Sequence, residues 1–203
     1  MATRIGVDKL HYAKMTTEDT PAAAPVYADP VAAPGVMSIN INPNGTIETL
    51  FADDGPYESA TTNGQIEVEI QKNQLKSSEK ADLLGHTIDA DGGIVYGEND
   101  VPPYVAIMFR TLRSNGKYRY VTLYKGRFVD PEDNNETKGD GINFQSETIT
   151  GRFLKLQKTY KLSATKSTNP WKYELDEEDD DASPTKLAAW FTAVQFPKEY
   201  NAG

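Results

Sequence analysis

The sequence predicts a mainly β protein: a β-sandwich or barrel with one short inserted α-helix, an extended N-terminal arm and a C-terminal amphipathic helix. Three observations carry this. In residues 65–71, Ile66, Val68 and Ile70 alternate with Gln65, Glu67, Glu69 and Gln71, the period of a strand with one face buried and one in water. Residues 104–112 form a long apolar strand, and the Asn115-Gly116 pair after it is the strongest short hairpin signal. The other strand-like runs are separated by turn residues, with one helical pattern among them.

Each element has its own reason. Residues 16–35 hold four prolines, which fix backbone angles and remove donors, so the stretch reads as an extended arm. Val26, Tyr27 and Val31 give that arm something to bury. Val36 to Asn42 and Thr46 to Phe51 flank Asn42-Pro43-Asn44-Gly45, which is turn chemistry, and they read as a hairpin. Residues 52–63 read as a polar loop of twelve, and loops of that length are usually functional. Ser77 to Gly85 has serine at its start, an acid in its first turn and a glycine stop, the pattern of a short helix. Tyr118 to Phe128 returns from the Asn-Gly turn. Residues 130–141 form a second long polar loop, Phe144 to Leu156 another strand region, and Tyr160 to Thr165 one more strand. Asp176 to Asp181 is an unbroken acidic run that should repel itself and stay extended. Ser183-Pro184 then starts a helix whose apolar stripe is Leu187, Trp190, Phe191 and Val194. The chain divides into an arm (1–35), a β domain (36–165) and an acidic linker with its helix (166–203).

Composition narrows the function. A chain of 203 residues can bury a substantial core. No apolar run approaches membrane-spanning length, and the first ten residues lack a secretory apolar segment. The absence of cysteine removes disulfides, thiolate metal sites and cysteine nucleophiles. A net charge of −9 leaves no duplex-binding footprint on the chain as a whole. The charge is uneven: net −10 over residues 1–100, +6 over 101–170 and −5 over 171–203. Faces of opposite sign suit self-association.

Catalytic chemistry finds little support. The two histidines, His11 and His86, read as surface or capping residues. Asp89-Ala90-Asp91-Gly92-Gly93 has glycine where a calcium loop needs its third ligand, so it reads as a turn. No phosphate-binding glycine motif is present. The reading is of no catalytic residues, no metal and no cofactor. Tyr118, Tyr120 and Tyr124 alternate along one strand and leave open an alternative, a monomeric β-sandwich that binds carbohydrate or another ligand on a stacking platform. An acidic-site hydrolase is a third, weaker reading.

A series of segments in order carries a resemblance. These are Ile5-Gly6-Val7-Asp8-Lys9-Leu10-His11-Tyr12-Ala13, Pro34 to Pro43, Phe51-Ala52-Asp53-Asp54-Gly55-Pro56-Tyr57-Glu58, Pro102 to Phe109 and Tyr120 to Phe128. Together they resemble the major tail proteins, or tail tube proteins, of long non-contractile-tailed phages (siphoviruses) of Gram-positive bacteria. The resemblance implies a structural virion protein, assembled in the host cytoplasm, whose hexameric rings stack into a hollow conduit for the genome. It implies as partners other copies of the chain, the tape measure protein, and the tail terminator and distal tail proteins. Phage DNA would pass through without specific binding. The polar strand face of Gln65, Glu67, Glu69 and Gln71 is the first candidate for lumen lining, because a conduit must not hold phosphates. Ser38, Asn40 and Asn42 are the second. Both sets also fit an ordinary solvent-facing side of a sheet. Tyr27, Asp53, Asp54, Tyr57 and Glu58 are candidates for contacts between protomers and rings, aromatic residues being the usual anchors.

Overall fold

The computed structural model describes residues 2–52, 54–62, 64–132 and 146–200. In chain order the elements are β1 (Arg4–Thr17), β2 (Val26–Tyr27), β3 (Val31–Ala32), β4 (Val36–Asn42), β5 (Thr46–Ala52), β6 (Gly55–Thr62), β7 (Ile66–Lys72) and α1 (Ser77–Leu84). Then come β8 (Thr87–Ile88), β9 (Ile94–Val95), β10 (Val105–Arg113), β11 (Tyr118–Phe128) and β12 (Glu147–Leu154). Last are β13 (Tyr160–Lys161), β14 (Ser167–Thr168), β15 (Lys172–Asp176) and α2 (Pro184–Ala188). The molecule is mainly β, as the alternating patterns predict.

One nine-stranded sheet organises it, in the order β2-β1-β10-β11-β12-β7-β4, with β3 also on β1 and β15 on β11. The pairs along it are antiparallel. Strand β11 is where the sheet divides. Its first half, residues 119–123, pairs with β15, while residues 125–128 pair with β12. The sheet therefore curls around its own apolar face, and β4 approaches β1 from the far side. It does not close into a barrel. A groove of about 570 Å³ separates β4 from β1, β11 and β15.

The curl encloses the core. Ile66, Val68 and Ile70 of β7, Val105, Ile107 and Phe109 of β10, and Ile149 and Phe153 of β12 are all buried in it. Two glycines permit the closest approach. A Cβ on Gly126 would lie 2.3 Å from the Phe153 ring, and one on Gly151 would lie 2.7 Å from Phe128. The short helix α1 closes one opening of the curl with Leu83 and Leu84 and ends at Gly85 in the left-handed region, φ 81°. Inside, Lys72 bonds Glu79 with both side chains buried.

The opposite face of β1, β10, β11 and β15 is covered by residues 184–196. Ser183 caps α2 by accepting a hydrogen bond from the Lys186 N–H, but the predicted helix lasts only five residues. Trp190 is fully buried and stacks on Tyr173, centroids 5.5 Å apart. Beyond α2 the chain follows the shape of the sheet instead of a helical path, which brings Phe196 flat against Tyr124 at 5.2 Å.

Three expectations are corrected. Residues 36–42 and 46–51 do not pair with each other: β4 pairs with β7, and β5 with β6. The turn chemistry at 42–45 makes a corner, not a hairpin. Asn44 takes φ 47° there, its side chain donates to the Gln65 carbonyl, and its own carbonyl accepts from Gly64 N–H. The loop expected at 52–63 is mostly strand, since Gly55–Thr62 form β6. The acidic run is not a free linker. Asp176 closes β15 and bonds Arg113 and Arg119 at 2.7 and 2.8 Å, and Glu178 bonds Arg113. The loop expected at 130–141 lies mostly outside the described residues.

The N-terminal stretch is extended but held down. β1 runs along β10 from Arg4 to Lys14, and its end, Met15 to Thr17, pairs with β2. Asp19 is buried and accepts from Lys125 Nζ at 2.7 Å and from the Gln157 N–H.

Candidate functional site

The registers assemble both candidate lumen sets on one sheet face. Ser38, Asn40 and Asn42 of β4 lie opposite Gln71, Glu69 and Glu67 of β7. Across β7, the same residues face Thr148, Thr150 and Arg152 of β12. Ser38 donates to Gln71 at 3.2 Å, and Gln71 donates to Ser146 at 2.8 Å. Gln65 is exposed just before β7 and uses its carbonyl for the Asn44 corner. Period-two alternation on three antiparallel strands makes this face polar throughout while its reverse is core.

Sequence reasoning missed the positive charge on this face. Arg152 sits beside Glu67, and Arg127 of β11 beside Arg152. Neither arginine has an ion-pair partner among the described residues. Arg127 lies over the Tyr104 ring, 3.9 Å from its centroid. The charge therefore grades across the face, from neutral on β4 through acidic on β7 to basic on β12 and β11. No local signal reveals this, because Glu67 and Arg152 are far apart in sequence.

The β5–β6 pair forms an arm beyond the Asn44 corner, continuing away from the Asn42/Glu67 end of the β4–β7 ladder. It belongs to a sheet of its own. Ile47, Leu50 and Tyr57 on it are 72%, 59% and 74% exposed. Tyr57 is the extra residue of a bulge, between the pairs Leu50–Glu58 and Phe51–Pro56, and bulges re-aim side chains. Glu58 and Asp54 are exposed beside it, and Asp54 takes φ 61° at the turn. Asp53 lies outside the described residues. Tyr27 is placed differently. Its hydroxyl donates to the Tyr124 carbonyl at 3.0 Å, its ring packs near Phe196, and burial raises its pKa.

His86, read from sequence as a surface or capping residue, is buried. Its Nδ1 faces Asp100 and its Nε2 faces Asp130, each at 2.7 Å, with the Tyr96 ring 4.3 Å away. Burial works against the charged ring, but hydrogen bonds to both carboxylates outweigh it and raise the pKa. When protonated, the ring can donate from both nitrogens and clamp the two carboxylates. It ties the end of α1 to the loop before β10 and to the end of β11.

The remaining chemistry is structural. The Asp89 carboxylate accepts from the N–H groups of Asp91 and Gly93, closing a turn. Tyr120 packs on Trp190 and Phe191, and Tyr124 is buried with its hydroxyl on the Gln195 carbonyl. Neither offers a free stacking platform. Among the described residues no group of three or more metal-ligating side chains converges, and no helix is long and apolar enough to cross a membrane.

A polar face of graded charge and a two-stranded arm with exposed apolar side chains are the prominent surface features among the described residues. The phage tail tube protein family model matches residues 25–177, and the chain belongs to that family. It is thus a structural component of a phage tail tube. No curated protein matches the chain.

Proposed function

We propose that this chain forms hexameric rings that stack into the conduit for genome delivery, and that the arm of β5 and β6 makes the contact between rings. The observation that carries this is the arm itself. A lone two-stranded ribbon is marginal in water, and this one leaves Ile47, Leu50 and Tyr57 exposed among the described residues. A second copy supplies the missing surface. Head-to-tail contacts of this kind close into rings or propagate as filaments according to the rotation between copies.

The face carrying Glu67, Glu69, Gln71, Ser38, Asn40 and Asn42 lines the lumen in this reading. Its acids repel the duplex, and Arg152 and Arg127 at its border are too few to hold it, since tight phosphate binding draws on many basic contacts. The tape measure protein occupies the lumen during assembly, and the tail terminator and distal tail proteins cap the ends.

Negative-stain electron microscopy over a concentration series tests the reading. Rings or hollow tubes are expected from the full chain. Protein without residues 46–62 should stay folded and stop at rings. Long tubes from that deletion would remove the arm from the ring-to-ring contact.

A further inference from the structure

Residues 87–103, between α1 and β10, stand out for how little holds them. None of them is buried. Their ladder is the short β8–β9 pair, Thr87 with Val95 and Ile88 with Ile94. Their turns are closed by their own groups: the Asp89 carboxylate accepts from the N–H groups of Asp91 and Gly93, and Asp100 accepts from the Gly97 N–H. Among the described residues, one hydrogen bond joins the segment to the rest of the chain, that between Asp100 and His86. A stretch with no buried residue and with bonds almost wholly to itself lies at the low-stability end of a fold.

His86 is its opposite, 8% exposed at the end of α1. The charged groups that act on its ring are Asp100, from the segment, and Asp130, from the end of β11; α1 contributes none of them. The other titratable neighbour is Tyr96, also from the segment, its ring 4.3 Å away. Protonation decides how many of the ring's bonds survive. An imidazolium donates from both nitrogens and satisfies both carboxylates. A neutral ring has one N–H, and its other nitrogen turns a lone pair toward an ionised carboxylate only 2.7 Å away. It cannot keep both bonds.

We infer that His86 is a pH-sensitive latch: charged, it holds residues 87–103 against the body of the protein, and neutral, it releases them while the nine-stranded sheet stays intact. The closed state holds the proton more tightly than the open one. The latch is therefore at full strength below the pKa of the open state, about 6.5, and is lost as pH rises through the closed-state value. The ratio of open to closed grows about tenfold for every pH unit between the two values.

The absence of cysteine makes the test direct. Glu98→Cys with Leu154→Cys puts one spin label on the segment and one on β12, both at exposed positions. Distances are read by pulsed electron spin resonance at about pH 6 and pH 8.5, in full-length protein that light scattering shows to be unassembled. One narrow distance is expected at the lower pH and a broad distribution at the higher. The same narrow distance at both would overturn the latch. On that background His86→Gln should give one distribution at both pH values, and broadening with pH that persists in it would assign the effect to another group and overturn the proposal. Asp130→Asn keeps the ring and removes one carboxylate charge, so it should move the midpoint of the broadening to lower pH. An unmoved midpoint would also overturn the latch.

Discussion

Replacing Asp19 by alanine should loosen the N-terminal stretch from the sheet. Asp19 is 2% exposed, and its partner Lys125 is buried too. Burial alone would raise the Asp19 pKa, but hydrogen bonds from Lys125 and the Gln157 N–H outweigh it and hold it below the ordinary carboxylate value. Removing one member of a buried pair strands the other charge, at a cost of about 3–5 kcal/mol. Here the lower figure applies, because Glu18 stays within 3.1 Å of Lys125. For a domain of this size, about 3 kcal/mol corresponds to a Tm lower by roughly 6–12 °C. Calorimetry at neutral pH reads it directly. Since the folded pKa is depressed, the Asp19 contribution is complete above the unfolded value, about 3.9, and is lost as pH falls through the folded value. The gap between wild type and Asp19→Ala should therefore close in acid. Replacing both partners, Asp19→Leu with Lys125→Met, should recover most of the loss. A Tm within about 2 °C of wild type for Asp19→Ala at pH 7 would refute the reasoning, being under the smallest shift that about 1 kcal/mol produces.

Trp190→Ala should cost about 3–5 kcal/mol in thermal or denaturant unfolding, as an emptied aromatic site does. Trp190→Phe should cost clearly less, because the indole Nε1 is buried without a hydrogen-bond partner. His86→Gln should destabilise by about 1–3 kcal/mol in mildly acidic solution. The His86 pKa is raised, so its contribution is complete below about pH 6.5 and fades as pH rises through the folded value. Melting curves from pH 5.5 to 9 should show the two proteins converge. Glu67→Lys with Glu69→Lys should leave melting and tube length unchanged but lower phage infectivity. Normal titre would remove this face from the lumen.

What the sequence made legible was local. The alternation of residues 65–71 placed β7 to within a residue and gave its buried face, Asn115-Gly116 placed the β10–β11 turn, and Gly85 placed the end of α1. What it concealed was pairing over distance. Asn42-Pro43-Asn44-Gly45 has the composition of a hairpin turn, yet Asn44 and Gly64 use it as a corner in a longer ribbon. Residues 55–62 carry no alternation, and the described side chains of the arm are mostly exposed; without burial a strand writes no period into its sequence. Asp176 and His86 looked unpartnered because Arg119 and Asp130 reach them only after the sheet forms. The candidate lumen residues were found as two sets, and the β4–β7 register joined them. The arginines that grade the charge of that face came from β11 and β12, which no nearby residue announced.

The division of β11 between two neighbours bears on timing during synthesis. Its first half acquires its second partner only when residues 172–176 emerge, and the aromatic face behind it is covered only by residues 190–196. β1, made first, waits for β10 a hundred residues later, and pairings so remote in sequence form slowly. A nascent chain therefore keeps an open edge until residues 172–176 are made and an uncovered aromatic face until residues 190–196 are made, so the last segments synthesised are the ones that finish the fold.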